Sequence, residues 1–263
     1  MAYIEANGIN MYYEERGEGE PLLLIMGLGT DHAGWDKHVV EFEKHFRCIL
    51  PDNRGTGKTD KPEGPYTIRM MAEDSLACMD RLGIEKAHVN GCSMGGAIAL
   101  EMVRMAPERV GKIVLTASFA KLDAYGKRIP LVFKNAYDAM DRKAYKELTD
   151  LIVYSRRFHI NNMSELEEME NAEKPDRMPL HAFCAQADAL IECDATGWLG
   201  NIENDCLICA GECDLFSPLE HAVWMKDTMP NAELIVDHGR GHTFHFENAE
   251  NYNKNVVSFL EER

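Results

Sequence analysis

Short apolar or alternating runs, each bounded by turn residues, recur along the chain and constrain its fold more than any other feature. Their lengths and β-branched content are typical of β-strands. The runs lie at residues 10–14, 21–26, 46–51, 87–90, 112–116, 205–210 and 232–237. Most are separated by stretches with helical periodicity, such as 67–82 before Gly83. Because such repeats form right-handed crossovers, we predict an α/β fold with a mostly parallel, twisted sheet and helices on both faces.

The alternation stops between residues 118 and 204, where charge-rich helical patterns follow one another. These patterns lie at about 131–140, 144–154, 164–172 and 181–191. The strand pattern resumes at residue 205, so the helices interrupt one fold rather than form an independent domain. We therefore expect a core made of 1–118 and 205–263, with 119–204 inserted as a helical lid over the strand ends, where such sheets bind ligands.

The balance of charged residues limits the partners of the chain. It has 28 Lys and Arg against 44 Asp and Glu, a formal net charge of -16. Because phosphate backbones and anionic membranes attract clustered basic residues, we expect neither nucleic acid nor a membrane as a partner. The first residues lack the basic start and apolar stretch of a secretory signal, which predicts a cytoplasmic protein.

The eight cysteines are expected to be reduced thiols, because a chain of this length needs no disulfides to fold. Cys206, Cys209 and Cys213 are close enough in sequence to suggest a zinc site. Cys206 and Cys209 share one strand-like run, however, and their odd spacing points them to opposite faces. We therefore predict buried core thiols and no metal.

The sequence Gly-Cys-Ser-Met-Gly at 91–95 follows a strand-like run and opens a helical one. A nucleophile elbow needs this context, because small residues permit the strained turn that exposes a serine hydroxyl. Gly96 and Ala97 continue the small-residue run where the helix packs on the strand. The alternative is an ordinary strand-to-helix turn. We predict that Ser93 is a catalytic nucleophile.

A serine nucleophile needs a base, usually a histidine held in one tautomer by a carboxylate. His242 lies in a glycine-flanked loop shortly after the last predicted strand, where a sheet-top loop presents side chains. His238 and His245 compete with it. His238 lies nearer the strand and His245 falls in the following helix or turn, so we interpret both as surface histidines and choose His242 as the base.

The orienting acid should follow a strand and precede the histidine in the chain. Asp214 satisfies both conditions, because it follows the predicted strand 205–210. Glu212 is close in sequence, and Asp123 follows an earlier strand where some folds of this type place the acid. Both stay open as alternatives, with Asp214 preferred.

The tetrahedral intermediate of acyl transfer needs two backbone donors. One is expected from the residue after the nucleophile, Met94. The other is expected from the glycine-containing loop after an early strand, where we predict the N–H of Leu28. The alternative for this loop is a simple glycine turn.

These residues resemble those of the α/β-hydrolases, particularly the esterase and enol-lactonase branch. The resemblance rests on residues 28–30 with Trp35, the segment 52–57, the elbow, and the Gly-His pair ending at His242, and it covers nearly the whole chain except the lid. It implies a triad of Ser93, Asp214 and His242, no metal or organic cofactor, and a lid that shapes the acyl or lactone pocket.

Two departures from that family pattern leave the expected site unchanged. Met26 stands where many relatives carry histidine, although the backbone donor does not depend on it. Thr59 stands where the turn usually ends in serine. We expect Asp52 and Arg54 of this turn to hold the loop together rather than touch substrate.

The sequence thus predicts a serine hydrolase that cleaves a small ester or lactone through an acyl-enzyme. The same triad also serves carbon–carbon cleavage of vinylogous diketones and cofactor-free perhydrolysis, and the fold also serves as a ligand receptor. Serine at the elbow disfavours haloalkane dehalogenases and epoxide hydrolases, which use aspartate there. A lid helix can face the core or a second subunit, so homo-oligomerisation stays open.

Overall fold

The structure is a computed structural model that describes residues 2–171 and 177–262. The strands in this part of the chain are β1 Ala2–Ala6, β2 Ile9–Arg16, β3 Glu20–Ile25, β4 Phe46–Pro51, β5 Ala87–Cys92, β6 Val110–Thr116, β7 Cys206–Gly211 and β8 Ala232–Asp237. The helices are α1 Asp36–Phe42, α2 Ile68–Arg81, α3 Met94–Met105, α4 Arg128–Ala139, α5 Arg142–Val153, α6 Arg156–Asn161, α7 Met163–Asn171, α8 Leu180–Glu192, α9 Leu219–Thr228, α10 Phe244–Glu247 and α11 Ala249–Glu261.

The strands form one sheet in the order β1-β2-β4-β3-β5-β6-β7-β8. The pairs β1–β2 and β2–β4 are antiparallel, and all later pairs are parallel. The chain order reverses around β3, whose neighbours are β4 and β5. Ligands of such sheets bind at the carboxyl ends of the strands next to this reversal. The predicted α/β fold with a mostly parallel sheet is confirmed.

Helices cover both faces of the sheet, as the alternation of side chains along β3 shows. Leu23 and Ile25 belong to one apolar cluster, which also contains residues of α2 and α3. Leu22 and Leu24 belong to a second cluster on the opposite face, which contains residues of α1 and α11. Because successive strand residues point to opposite faces, a strand buried on both sides reads as one continuous apolar run.

The predicted strands agree with the observed ones to within two residues at each end. Helix α2 begins after Thr67, whose side chain accepts a hydrogen bond from the N–H of Met70. Strand β1 and helices α1, α6, α9 and α11 were not placed from the sequence. The predicted helix 164–172 corresponds to α7, and residue 172 lies outside the described residues. Cys206 and Cys209 belong to opposite clusters, as their spacing predicts.

Helices α4 to α8 fill the chain between β6 and β7. Their segment is closed by a short antiparallel neck, in which Lys121 and Asp194 pair as an isolated bridge. The N–H of Ala195 donates to the carbonyl of Ala120 at 2.9 Å, and Lys121 Nζ lies 2.6 Å from Asp194 Oδ2. None of the helices in the described part of the chain is long and apolar enough to span a membrane.

Candidate active site

Ser93 lies between the end of β5 and the start of α3, in a strained conformation with φ 53° and ψ -116°. Its N–H donates to the carbonyl of Thr116 at 2.8 Å, and its carbonyl accepts from Ser118 Oγ at 2.9 Å. The turn is also packed against the neighbouring strand, because a Cβ placed on Gly95 would lie 2.1 Å from the carbonyl oxygen of Ile25. The small-residue spacing of the elbow is therefore a steric requirement.

The loop at residues 26–29 lies directly against this serine. A Cβ placed on Gly27 would be 3.1 Å from Ser93 Cβ and 3.6 Å from its Oγ. Leu28 follows Gly27, and Met94 opens α3, so its N–H is among the helix donors without an acceptor in the helix. The two predicted oxyanion donors therefore belong to the segments that flank the Ser93 side chain.

Asp214 and His242 follow β7 and β8, and they are joined by a hydrogen bond of 2.8 Å between Oδ2 and Nδ1. Asp214 Oδ1 accepts from the N–H groups of Phe216 and Ser217 at 2.7 and 3.0 Å, and Oδ2 accepts from Ser217 Oγ at 2.7 Å. The Phe216 ring stacks on the His242 ring with centroids 5.1 Å apart. These contacts fix the carboxylate and the plane of the imidazole.

The imidazole of His242 has its proton on the side of the carboxylate. Nδ1 takes part in both hydrogen bonds that His242 makes in the described chain, the second being a long contact of 3.5 Å with Ser217 Oγ. A carboxylate only accepts, so Nδ1 carries the hydrogen and Nε2 is the basic nitrogen. Among the described residues, no hydrogen bond joins the Ser93 hydroxyl to His242. Catalytic hydrogen bonds of this kind are often long without substrate and shorten when substrate binds.

Asp214 and His242 lie at the same edge of the sheet as the elbow. Ser93, Asp214 and His242 all follow the carboxyl ends of parallel strands in one continuous part of the sheet. Burial raises the pKa of the Cys92 thiol to about 12, and the Asp214 carboxylate contributes to this increase. The carboxylate is therefore within electrostatic range of the residue that precedes Ser93.

The alternative acids have other partners. Glu212 accepts from the N–H of Gly239 at 2.9 Å and lies 3.4 Å from Nδ1 of His238, which is exposed as expected. Asp123 lies 3.6 Å from Nε2 of His221. Neither arrangement brings a carboxylate to His242.

His245 is buried, so the interpretation of it as a surface histidine is wrong. Its Nε2 lies 3.5 Å from Cys92 Sγ and its Nδ1 lies 3.1 Å from Nε2 of His38. Nδ1 of His38 contacts Asn253 Oδ1 at 2.7 Å, and the amide nitrogen of Asn253 donates to the carbonyl of Lys37. Burial lowers the pKa of His38 to about 4 and that of His245 well below its ordinary value. Both rings are neutral, and with Cys92 and Asn253 they form one hydrogen-bonded chain.

The turn after β4 is held by an ion pair from Arg54 to α2 and by backbone N–H groups that donate to Asp52. Arg54 forms two hydrogen bonds of 2.6 Å with the buried carboxylate of Asp74. Asp52 accepts from the backbone N–H of His32 and of Lys58, both at 2.8 Å. The Arg54 guanidinium therefore anchors the turn to α2.

Two further side chains tie the site to the helical segment, and neither was predicted from the sequence. Gln186 of α8 accepts from the N–H of Gly29 at 2.9 Å. Glu247 accepts from the N–H of Gly241 at 3.2 Å and from the N–H of Ser155 at 2.8 Å. No local pattern identifies their contacts with the helical segment, because Gly29 and Gln186, and likewise Ser155 and Glu247, are remote in sequence. By contrast, the bond from the Phe216 N–H to Asp214 Oδ1 has the two-residue spacing of an Asx turn, which a local sequence pattern can indicate.

Aromatic side chains of the helical segment pack over the loop at 26–29. Tyr137 and Phe183 stack with centroids 4.2 Å apart. A Cβ placed on Gly29 would lie 3.1 Å from the Phe183 ring. The helical segment therefore contacts the loop at 26–29 through both a polar and an aromatic side chain.

Comparison with known proteins identifies the family. A model of the alpha/beta hydrolase fold matches residues 20–249. The chain is 29% identical to "Putative carbamate hydrolase RutD" of Azorhizobium caulinodans, with 100% of this chain and 99% of that protein covered. It is 30% identical to 2-hydroxy-6-oxo-6-phenylhexa-2,4-dienoate hydrolase of Comamonas testosteroni, with 96% and 92% covered.

A solved structure with a similar fold is named for a third activity. The structure of Est816, named as an N-acyl homoserine lactone degrading enzyme, matches with a TM-score of 0.85 and 27% identity, over 98% of this chain and 100% of that one. The fold, the family model and these relatives together show that the chain belongs to the alpha/beta hydrolase fold family and is a hydrolase.

Proposed function

We propose that this hydrolase cleaves a carboxylic ester or lactone through an acyl-enzyme on Ser93, with His242 as base and Asp214 as orienting acid. The hydrogen bond of 2.8 Å between His242 Nδ1 and Asp214 Oδ2 carries the proposal. It assigns the proton to Nδ1 and leaves Nε2 as a base on the same sheet edge as a strained, glycine-flanked serine.

In the proposed first step, Ser93 Oγ attacks the carbonyl carbon while Nε2 of His242 takes the hydroxyl proton. The negative charge that develops on the carbonyl oxygen is stabilised by the N–H groups of Leu28 and Met94. When the intermediate collapses, the bond to the alkoxy oxygen breaks, and Nε2 returns its proton to that oxygen. Asp214 stabilises the imidazolium that exists between these events.

In the proposed second step, water attacks the acyl carbon and gives its proton to Nε2. Collapse of this second intermediate releases the carboxylic acid and restores the Ser93 hydroxyl with the same proton. In a lactone, the alcohol formed in the first step stays attached to the acyl group, so one open-chain hydroxy acid is released.

We also propose that residues 119–204 act as a lid over this site. Its support is the contact of Phe183 and Gln186 with the loop at 26–29, together with the hydrogen bond of 3.0 Å from the Thr243 N–H to the carbonyl of Val153. Lid residues therefore touch both the serine side and the histidine side of the site.

Replacing Ser93 by alanine tests the proposal. We expect kcat for ester hydrolysis to fall by at least about a thousandfold, because the nucleophile is lost while the fold is kept. The measurement uses p-nitrophenyl esters of increasing chain length and small lactones, with circular dichroism to verify folding. Ser75→Ala is the matched control, since Ser75 is buried but donates only to the carbonyl of Met71 within α2. Hydrolysis that survives in Ser93→Ala would contradict the proposal.

A fluorophosphonate probe separates the enzyme from a receptor of the same fold. The probe reacts with an activated serine and leaves an inert hydroxyl untouched. We expect labelling at Ser93 in the wild type and none in Ser93→Ala. A folded wild-type protein that is not labelled would favour the ligand-binding alternative.

Carbon–carbon cleavage is the second candidate, because the relative that is 30% identical is named as a hydrolase of a 2-hydroxy-6-oxo dienoate. The same serine would attack a ketone carbonyl, and the leaving group would be a carbon that must be protonated. A vinylogous diketone added to the ester and lactone panel distinguishes the two. Turnover of the diketone well above that of every ester would favour this candidate.

A further inference from the structure

Gln186 is an unusual side chain in α8, because it is fully buried among apolar neighbours. The buried residues around it on this helix are Ala182, Phe183, Ala185, Ala187, Ala189 and Leu190. A primary amide costs several kcal/mol, on the order of 2–7, when it is buried without hydrogen bonds. The hydrogen bonds that Gln186 makes must therefore offset this cost.

The amide of Gln186 is satisfied entirely by the two loops that follow β3 and β4. Oε1 accepts from the N–H of Gly29 at 2.9 Å. Nε2 donates to the carbonyl of Arg54 at 2.8 Å and to Thr56 Oγ1 at 2.7 Å. The amide orientation is unambiguous, because a backbone N–H only donates and a carbonyl only accepts.

These bonds fix the peptide unit that would carry the second oxyanion donor. On one side, Asn53 Nδ2 donates to the carbonyl of Met26 at 2.9 Å. On the other side, Gln186 holds the N–H of Gly29. The peptide unit with the Leu28 N–H lies between these two anchored units, and its own carbonyl, that of Gly27, accepts from the Thr30 N–H at 3.3 Å. Its rotation is limited by all three contacts, of which Gln186 supplies the one from the helical segment. The Gly29 N–H is already used by Gln186, so it is not available as an oxyanion donor, which is consistent with the Leu28 N–H in that role.

We propose that Gln186 is a positioning residue that holds the Leu28 N–H in the orientation of an oxyanion donor, so that seating of α8 on the core completes the active site. The inference rests on the proposed function, in which that N–H stabilises the tetrahedral intermediate. It assigns a polar side chain of the helical segment to transition-state stabilisation, through the backbone and without contact to the reacting atoms.

Gln186→Met tests this, because methionine keeps the length of the side chain and removes all three hydrogen bonds. We expect kcat to fall about ten- to a hundredfold, somewhat less than the loss from deleting an oxyanion donor. KM should change less than about threefold, since the interaction acts on the transition state rather than on bound substrate. An arylboronate, which forms a tetrahedral adduct with the serine, should lose affinity in parallel with kcat, while the product carboxylate should not.

A matched control comes from the same helix. His181 of α8 contacts the carbonyl of Lys61 through Nε2 at 3.0 Å, so His181→Ala removes a bond between α8 and the core that does not involve the loop at 26–29. We expect His181→Ala to keep the wild-type kcat and boronate affinity. Equal losses in His181→Ala and Gln186→Met would overturn the proposal, because they would reflect general loosening of α8.

Thr56→Val provides a second variant that keeps the side-chain volume and the bond to Gly29. It removes one of the two donations that orient the amide of Gln186. We expect a smaller decrease in kcat, about two- to tenfold, as befits one hydrogen bond of about 1 kcal/mol. Wild-type kcat in both Thr56→Val and a folded Gln186→Met would overturn the proposal, and full activity of Ser93→Ala would instead overturn the proposed function.

Discussion

The two halves of the candidate site are constructed differently. The nucleophile half, residues 91–96 with the loop at 26–29, is made by backbone segments that approach too closely for any side chain, as at Gly95 against Ile25. The histidine half, Asp214 and His242 with their loops, is made by side-chain hydrogen bonds, and Asp214 accepts four of them. The glycines at 91, 95 and 96 therefore leave no room for an added Cβ, while Asp214 depends on the partners that hold its carboxylate.

The largest expected effect comes from a substitution in the histidine half. In Asp214→Asn, the new amide donates to Nδ1 of His242 and forces the proton onto Nε2, so the base cannot accept from Ser93. We expect kcat to fall by on the order of ten-thousandfold with little change in folding. Steady-state kinetics measure this. Glu212→Gln is the matched control, because it makes the same chemical change two residues away and should keep activity. Equal losses in the two variants would remove Asp214 from its role.

A smaller effect is expected when one methyl group is added to the nucleophile half. In Gly95→Ala, the new Cβ would meet the carbonyl oxygen of Ile25 at 2.1 Å, and a strand backbone cannot yield as a side chain does. We expect the free energy of unfolding to fall by about 1–3 kcal/mol, as overpacking does elsewhere. Urea unfolding measures this. Gly197→Ala is the control, because a Cβ there meets nothing within 4 Å. Equal stabilities of the two variants would contradict the packing argument.

The smallest effect concerns the neutral hydrogen-bonded chain that begins at Cys92 of the nucleophile half and runs through His245 and His38 to Asn253. The pKa of His38 is lowered from 6.5 to about 4 by burial. Between these values the unfolded chain binds a proton that the folded chain does not, so stability falls as the pH falls through this window. The slope is at most about 1.4 kcal/mol per pH unit for each such histidine.

Unfolding in urea at pH 7, 6 and 5 measures this slope. His38→Gln keeps an amide donor and acceptor at the position of the ring but cannot titrate. We expect this variant to have a smaller slope of unfolding free energy against pH, by the equivalent of up to one bound proton. Titration of the carboxylates contributes equally to both proteins. Identical slopes would show that His38 is not held neutral in the folded state.

The same contrast explains what could be predicted from the sequence. The nucleophile half was predictable because close backbone approach requires small residues at fixed spacing, and that pattern is local. Strands β3 to β7 were predictable because most of their residues are buried, so they read as apolar runs. Strand β8 is only partly buried, but Leu234, Ile235 and Val236 still form an apolar run. Strand β1 was missed because it lies at the edge of the sheet, where Tyr3 is 53% exposed and only Ala6 is fully buried.

The histidine half was predicted only in its chemistry-bearing residues. Asp214 and His242 follow strands, so their positions can be inferred from local order. Gln186 bonds to Gly29, more than a hundred positions away, and Glu247 joins the nearby Gly241 to Ser155, about ninety positions away. These long-range contacts have no local sequence signal. His245 was misinterpreted because its burial depends on the packing of α1 and α11, which a local pattern of residues does not encode.

Because of the neck at Lys121 and Asp194, a different helical segment could be inserted at the same place in the fold. Paired residues of an antiparallel bridge are about 5 Å apart, so the segment leaves and re-enters the core at nearly one point. A segment of different length or composition could begin and end there with only a small change in loop-closure entropy. Substrate range could then diversify by exchange of residues 122–193 while the sheet stays constant, provided that each replacement again supplies a polar anchor for the loop at 26–29.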